Sequence, residues 1–134
     1  MVVRNFPTEK QVVQDDPLTR KIIGCAIEVH KRLGPGLLEK LYKEAMVIEL
    51  ELNNLKVEKN VKIPVEYKGK PIGDYFIDLL VEETVILELK SVERHDPIFE
   101  AQILSYMKLT GKKVGLLINF NSRMVKDGIS RFVL

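Results

Sequence analysis

The sequence predicts an α/β fold, a mixed sheet of four to five strands flanked by helices. Three observations carry this. Apolar residues recur at helical spacing up to about residue 53, and from Val57 the period changes to two. The strand-like runs 75–81 and 85–90 are separated only by Glu82-Glu83-Thr84, which leaves room for a hairpin and nothing larger. Val114-Gly115-Leu116-Leu117-Ile118-Asn119 is a continuous apolar run, the mark of a buried strand, and it follows a third helical pattern. At 134 residues the chain suits one domain with a real core. Residues 17–134 form that domain, behind an N-terminal arm at 1–16 that shows no clear periodicity.

Each element has its own signal. Asp16-Pro17-Leu18-Thr19 reads as a helix entry. Leu18, Ile22, Ala26, Val29 and Leu33 follow at helical spacing, and Gly34-Pro35-Gly36 ends the helix in a tight connection. A second helix is expected over about 37–53, with Leu38, Leu41, Ala45, Ile48 and Leu52 as its apolar stripe. Val57, Lys59, Val61, Ile63, Val65 and Tyr67 outline a long strand, in which Pro64 marks a bend or an edge. Lys68-Gly69-Lys70 is a hairpin turn. Asp96 is placed to cap a third helix, with Pro97 in its first position and Phe99, Ile103, Tyr106 and Leu109 as its apolar residues. Thr110-Gly111 ends it, and a short strand over 129–134 closes the order.

The hairpin places three charges together. If Glu82-Glu83-Thr84 forms the loop, Val81 pairs with Val85 and Asp78 falls opposite Glu88. Side chains alternate along a strand, so Lys90 shares that face. Two facing carboxylates destabilise a sheet, and a divalent cation removes the conflict. A one-residue slip separates the two acids. The opposite face then reads Ile77, Leu79, Val81, Val85, Leu87 and Leu89, wholly apolar, so the register that unites the charges also buries best. Phe76, Leu80 and Ile86 on the charged face call for cover by helices, which sets the charges in a cleft. An acid, then Glu-x-Lys on the next strand, is a candidate metal site beside a lysine, the arrangement needed for Mg²⁺-dependent phosphodiester cleavage.

Composition excludes other classes. No stretch is long or apolar enough to span a membrane, and residues 1–7 lack a secretory core. The lone Cys25 lies in a helical pattern and reads as a buried thiol. A cytoplasmic setting is expected. Net charge is only +2, yet residues 35–100 carry fourteen acidic groups and residues 101–134 carry six basic groups against Asp127 alone. An acidic centre beside a basic tail suits a metal site next to a phosphate-holding surface, and equally suits an ordinary solvated surface. There is no zinc-type Cys/His cluster, no phosphate-cradling glycine loop and no nucleophile motif.

Asp78 followed by Glu88-Leu89-Lys90 resembles the signature of the PD-(D/E)XK nuclease superfamily. Gly36-Leu37-Leu38-Glu39-Lys40-Leu41-Tyr42 is similar to the Gly-x-x-Glu-x-x-Tyr motif of the GxxExxY protein family within it. Gln102-Ile103-Leu104-Ser105-Tyr106 is similar to the Gln-x-x-x-Tyr element of exonuclease-like branches, and its i, i+4 spacing puts both side chains on one helix face. The leading Pro of the superfamily signature is absent, since Ile77 precedes Asp78. The resemblance spans about residue 22 to the C-terminus. It implies a restriction-endonuclease-like core and a metal-dependent nuclease acting on DNA or RNA with Mg²⁺ or Mn²⁺.

On that resemblance, Asp78 and Glu88 ligate the metal, with the Leu89 carbonyl as an extra ligand and Glu39 as a third carboxylate. Lys90 acts on the attacking water and on the charge at phosphorus. Gln102, Tyr106 and Tyr42 contact substrate. Asp74 is either an extra acid or a solvated strand end, and His30 and His95 read as packing or surface residues. The same three charges also read as a salt-bridged cluster without metal. The alternative function is therefore a catalytically weak nucleic-acid-binding or assembly module. No added DNA-reading element is present, so specificity falls to structure, to a partner protein or to a second copy of the chain.

Overall fold

The computed structural model describes Val3, Arg4 and residues 16–134. The expected arm at 1–16 therefore lies largely outside the described residues. The described residues form three helices and a mixed sheet of five main strands, with a two-residue strand added at one edge. The strands are β1 (Val3–Arg4), β2 (Val57–Tyr67), β3 (Lys70–Val81), β4 (Val85–Lys90), β5 (Val114–Asn119) and β6 (Ile129–Val133). The helices are α1 (Pro17–Leu33), α2 (Glu39–Leu52) and α3 (Pro97–Thr110). The sheet order is β1-β6-β5-β4-β3-β2. Only β4 and β5 run parallel, and α3 makes the crossover that a parallel pair requires.

Local chemistry sets these boundaries. Asp16 accepts hydrogen bonds from the Leu18 and Thr19 amides, and Asp96 accepts one from Ile98, so each caps its helix ahead of a proline in the first turn. Gly111 ends α3 at φ 72°, a left-handed stop that costs glycine little. Lys68 and Gly69 both have positive φ, as a two-residue hairpin turn requires. Pro64 pairs opposite Asp74 on β2, and β2 is the sheet edge, where a missing amide is tolerated.

Two cores cover the two faces. One joins α1 and α2 to the sheet through Ile22, Ala26, Tyr42, Met46, Leu87, Leu89 and Ile118, among others. Cys25 is buried in it, as expected, and burial first, then the charge of Glu49, pushes its thiol up to about 11. The other core joins α3 to the sheet through Ile103, Tyr106, Met107, Ile86, Leu117 and Phe132. Gly115 lets α3 lie close: a Cβ there would stand 2.9 Å from the Met107 sulfur.

The α2 stripe requires correction. Tyr42, Met46 and Leu50 face the core, whereas Leu38, Leu41, Ile48 and Leu52 are exposed. The spacing named one apolar stripe, but α2 carries a second apolar face, Tyr42, Met46 and Leu50, and that face is the one the sheet takes. On α3, Ile103 and Tyr106 are buried and Phe99 packs beside them as expected, and Met107 continues that face where Leu109 is exposed.

Candidate active site

The β3–β4 hairpin has the expected register. Val81 pairs with Val85, Leu80 with Ile86 and Leu79 with Leu87. At the next step the backbone ladder stops and two carboxylates replace it. The Asp78 amide donates to Glu88 Oε1 at 3.3 Å, and the Leu89 amide donates to Asp78 Oδ2 at 2.9 Å. Each acid thus satisfies a backbone donor near the other acid, and the strands fork around them.

The fork coincides with a change of face. Leu79 packs with α1 and α2, whereas Ile77 joins the α3 core despite sharing its parity. This corrects the expected uniform apolar face. The partner strand does the same: Val57 packs on the first core, Val61 and Ile63 on the second. Between them, Asn60 takes φ 52° and its rung opposite Asp78 is missing. The hairpin turns over at this level, so Asp78 is reachable from both layers.

Lys43 of α2 uses that opening. Its ammonium lies 3.4 Å from Asp78 Oδ1 and donates to Asn60 Oδ1 at 2.8 Å. Sequence reasoning missed this residue. It is one helix turn beyond Glu39 and sits in no motif, so only the tertiary fold reveals it. Asp78 therefore has a cation at one oxygen and the Leu89 amide at the other. Lys90 is on the α3 side of the fork, with its ammonium 4.6 Å from the centre of the Phe99 ring.

Glu88 is the most perturbed group of the site. It is 6% exposed, and its carboxyl is pushed up to about 9 by burial first and by the charge of Asp78 second. Lys90 pulls the other way with less effect. The acid is thus largely protonated at neutral pH in the metal-free protein. Tyr106, also buried, is pushed up to about 12 by burial, then by Glu88, Tyr75 and Asp78, so it stays a hydroxyl donor. Its ring is 5.3 Å from that of Tyr75. Gln102 is half-buried one turn earlier on α3.

The Gly-x-x-Glu-x-x-Tyr spacing has a physical account. Gly36 takes φ 97°, open to glycine alone at low cost. The Tyr42 hydroxyl donates to the Gly34 carbonyl and accepts from the Leu37 amide at 3.1 Å. The Ser91 hydroxyl donates to the Leu37 carbonyl, tying the loop to the end of β4. This brace sets Glu39 in the first turn of α2. Burial on its protein side raises the Glu39 carboxyl, Lys90 lowers it, Asp78 raises it and Lys43 lowers it. Glu39 also lines a cleft of about 740 Å³ with Gly36, Lys40, Ser91, Glu93 and Asn121.

Two expectations need correction. Tyr42 has no free surface: its ring stacks on Phe120 at 4.5 Å and its hydroxyl is committed to the loop, so it cannot meet substrate. Glu39 does not close on the acid pair, since among the described residues no three His, Cys, Asp or Glu side chains converge as a metal-binding group. Asp74 is exposed and pairs with Lys62 at 3.6 Å. The His30 ring bonds to the Ser122 carbonyl, and His95 pairs with Glu100. Among the described residues no helix is long and apolar enough to cross a membrane.

A family model described as the PD-(D/E)XK nuclease superfamily matches residues 16–132. No curated protein matches the chain, and no solved structure does.

Proposed function

The chain belongs to the PD-(D/E)XK nuclease superfamily, and we propose from that premise that it is a metal-dependent nuclease hydrolysing phosphodiester bonds in DNA or RNA. The observation that carries the reading is the forked hairpin, where Asp78 and the buried Glu88 converge beside Lys90. Its finer placement in the GxxExxY family rests on Gly36, Glu39 and Tyr42 alone. One domain over 17–134 would hold the site, in a cytoplasmic setting.

The donor set fits a hard divalent cation. Mg²⁺ needs only one or two carboxylates, since waters and substrate phosphates complete its shell. Asp78 and Glu88 would hold Mg²⁺ or Mn²⁺, with the Leu89 carbonyl as a further oxygen donor. The bound ion supplies Lewis acidity and a more acidic water.

The chain's own groups do the rest. Lys90 donates to the attacking water or to a phosphate oxygen and offsets negative charge growing at phosphorus. Tyr106, kept protonated, donates to a phosphate oxygen, and Gln102 on the same helix face adds an amide. Lys43 holds Asp78 Oδ1 at 3.4 Å, an oxygen through which Asp78 would hold the ion. Glu88 must lose its proton for the ion to bind.

The Lys43–Asp78 pair also favours a second reading. It neutralises Asp78 without metal, which suits a nucleic-acid-binding or assembly module of little catalytic power. Cleavage of single- and double-stranded DNA and RNA, in Mg²⁺, in Mn²⁺ and in chelator, separates the two. Metal-dependent cleavage supports the nuclease, and metal-independent binding without cleavage supports the module.

A further inference from the structure

The exposed face of α2 is built for pairing. Leu38 is 64% exposed, Leu41 46%, Ile48 60% and Leu52 72%. With Ala45 between them, these residues are spaced 3-4-3-4, the repeat of a helix–helix seam. Of these, only Ala45 also touches the core, while Tyr42, Met46 and Leu50 face the sheet. An apolar stripe of this length seldom faces water without a partner.

We infer that α2 pairs antiparallel with α2 of a second copy of this chain, about a two-fold axis passing Ala45. The stripe is self-complementary about that residue. Leu38 then meets Leu52 of the other copy, Leu41 meets Ile48, and the two Ala45 residues allow close approach at the axis. The flanking charge agrees. Lys40, near the N-terminal end, and Glu51, near the C-terminal end, are both exposed, and the antiparallel arrangement brings each to the level of the other. A parallel arrangement would put the Lys40/Glu51 flanks of the two copies on opposite sides of the seam and leave these charges unpaired across it. Glu44, closest to the axis on that flank, is neutralised within its own chain by Lys59 at 3.0 Å. The helix dipoles also run opposite to one another.

The pairing leaves the hairpin fork open. By the helical period, Glu39 and Lys43 project from the sheet-facing side of α2, away from the stripe. The inference therefore does not rest on the nuclease reading.

Sedimentation of the full-length chain at concentrations up to about 1 mM tests it. The expected result is a monomer–dimer equilibrium. Ile48→Glu should weaken the dimer by about tenfold or more while leaving the melting of the dilute monomer unchanged, because the side chain touches no core. Lys40→Glu and Glu51→Lys should each weaken it several-fold, and the double exchange should restore it. A chain that stays monomeric at the highest concentration overturns the inference and leaves the stripe to another segment or another protein. So does a dimer indifferent to Ile48→Glu, or a double exchange that fails to recover what the single exchanges lose.

Discussion

Replacing Glu88 with Gln tests the electrostatics of the fork. The Glu88 carboxyl has an ordinary value of 4.5 and is pushed up to about 9 by burial and by Asp78. A raised value in the fold means that the stabilising contribution is complete below about 4.5 and is lost as pH rises towards about 9. Each pH unit within that window removes about 1.4 kcal/mol. Between pH 4.5 and 7 the loss from this one group is therefore about 3 kcal/mol in the metal-free protein. Gln keeps an oxygen to accept the Asp78 amide but does not ionise. Glu88→Gln should match the wild type near pH 5 and exceed it by about 3 kcal/mol at pH 7 in denaturant unfolding with chelator present. Mn²⁺ should stabilise the wild type and not the variant. Calorimetry in buffers of different ionisation heat should detect about one proton released per Mn²⁺ bound at neutral pH. Parallel stability curves for the two proteins from pH 5 to 8 would refute the claim that Glu88 is buried as a neutral acid.

Three further substitutions probe the neighbouring groups. Lys43→Met should lower metal-free stability by about 1–3 kcal/mol, the scale of leaving a half-buried group without its partner, and should tighten Mn²⁺ binding several-fold in a calorimetric titration. Unchanged or weaker Mn²⁺ affinity would show that Lys43 does not compete for Asp78. Tyr42→Phe should cost about 1–3 kcal/mol in denaturant unfolding, because the Gly34 carbonyl and the Leu37 amide lose their shared partner. A variant of full stability that binds nucleic acid poorly would return Tyr42 to the substrate surface. Lys90→Ala should retain Mn²⁺ binding and lose cleavage by ~10²-fold or more, the scale of a positioned electrostatic or acid–base group. Equal cleavage by this variant and the wild type would place the activity elsewhere.

The fold was legible because its signals are local. Capping at Asp16 and Asp96, the change of period at Val57 and the three-residue loop at Glu82-Glu83-Thr84 fixed element order and the hairpin register. That register brought Asp78 and Glu88 together from sequence alone. The details of the fork were not legible. Asn60 with φ 52°, the transfer of Ile77 to the other core and the reach of Lys43 all depend on strand coiling, which alternation does not encode. Tyr42 misled for a different reason. Its motif partners Glu39, but the spacing reflects a brace for the loop at Gly36, not a shared substrate. The α2 stripe misled because a helix with two apolar faces carries no label for which face is buried.

The central claim is that Asp78 and Glu88 form a divalent-metal site at the hairpin fork. An anomalous difference map from a crystal soaked in Mn²⁺ tests it most directly. The account predicts a peak between the two carboxylates, with the Lys43 ammonium displaced from Asp78 Oδ1. A map with no peak at the fork, or with Mn²⁺ bound elsewhere while Lys43 still pairs with Asp78, would contradict it.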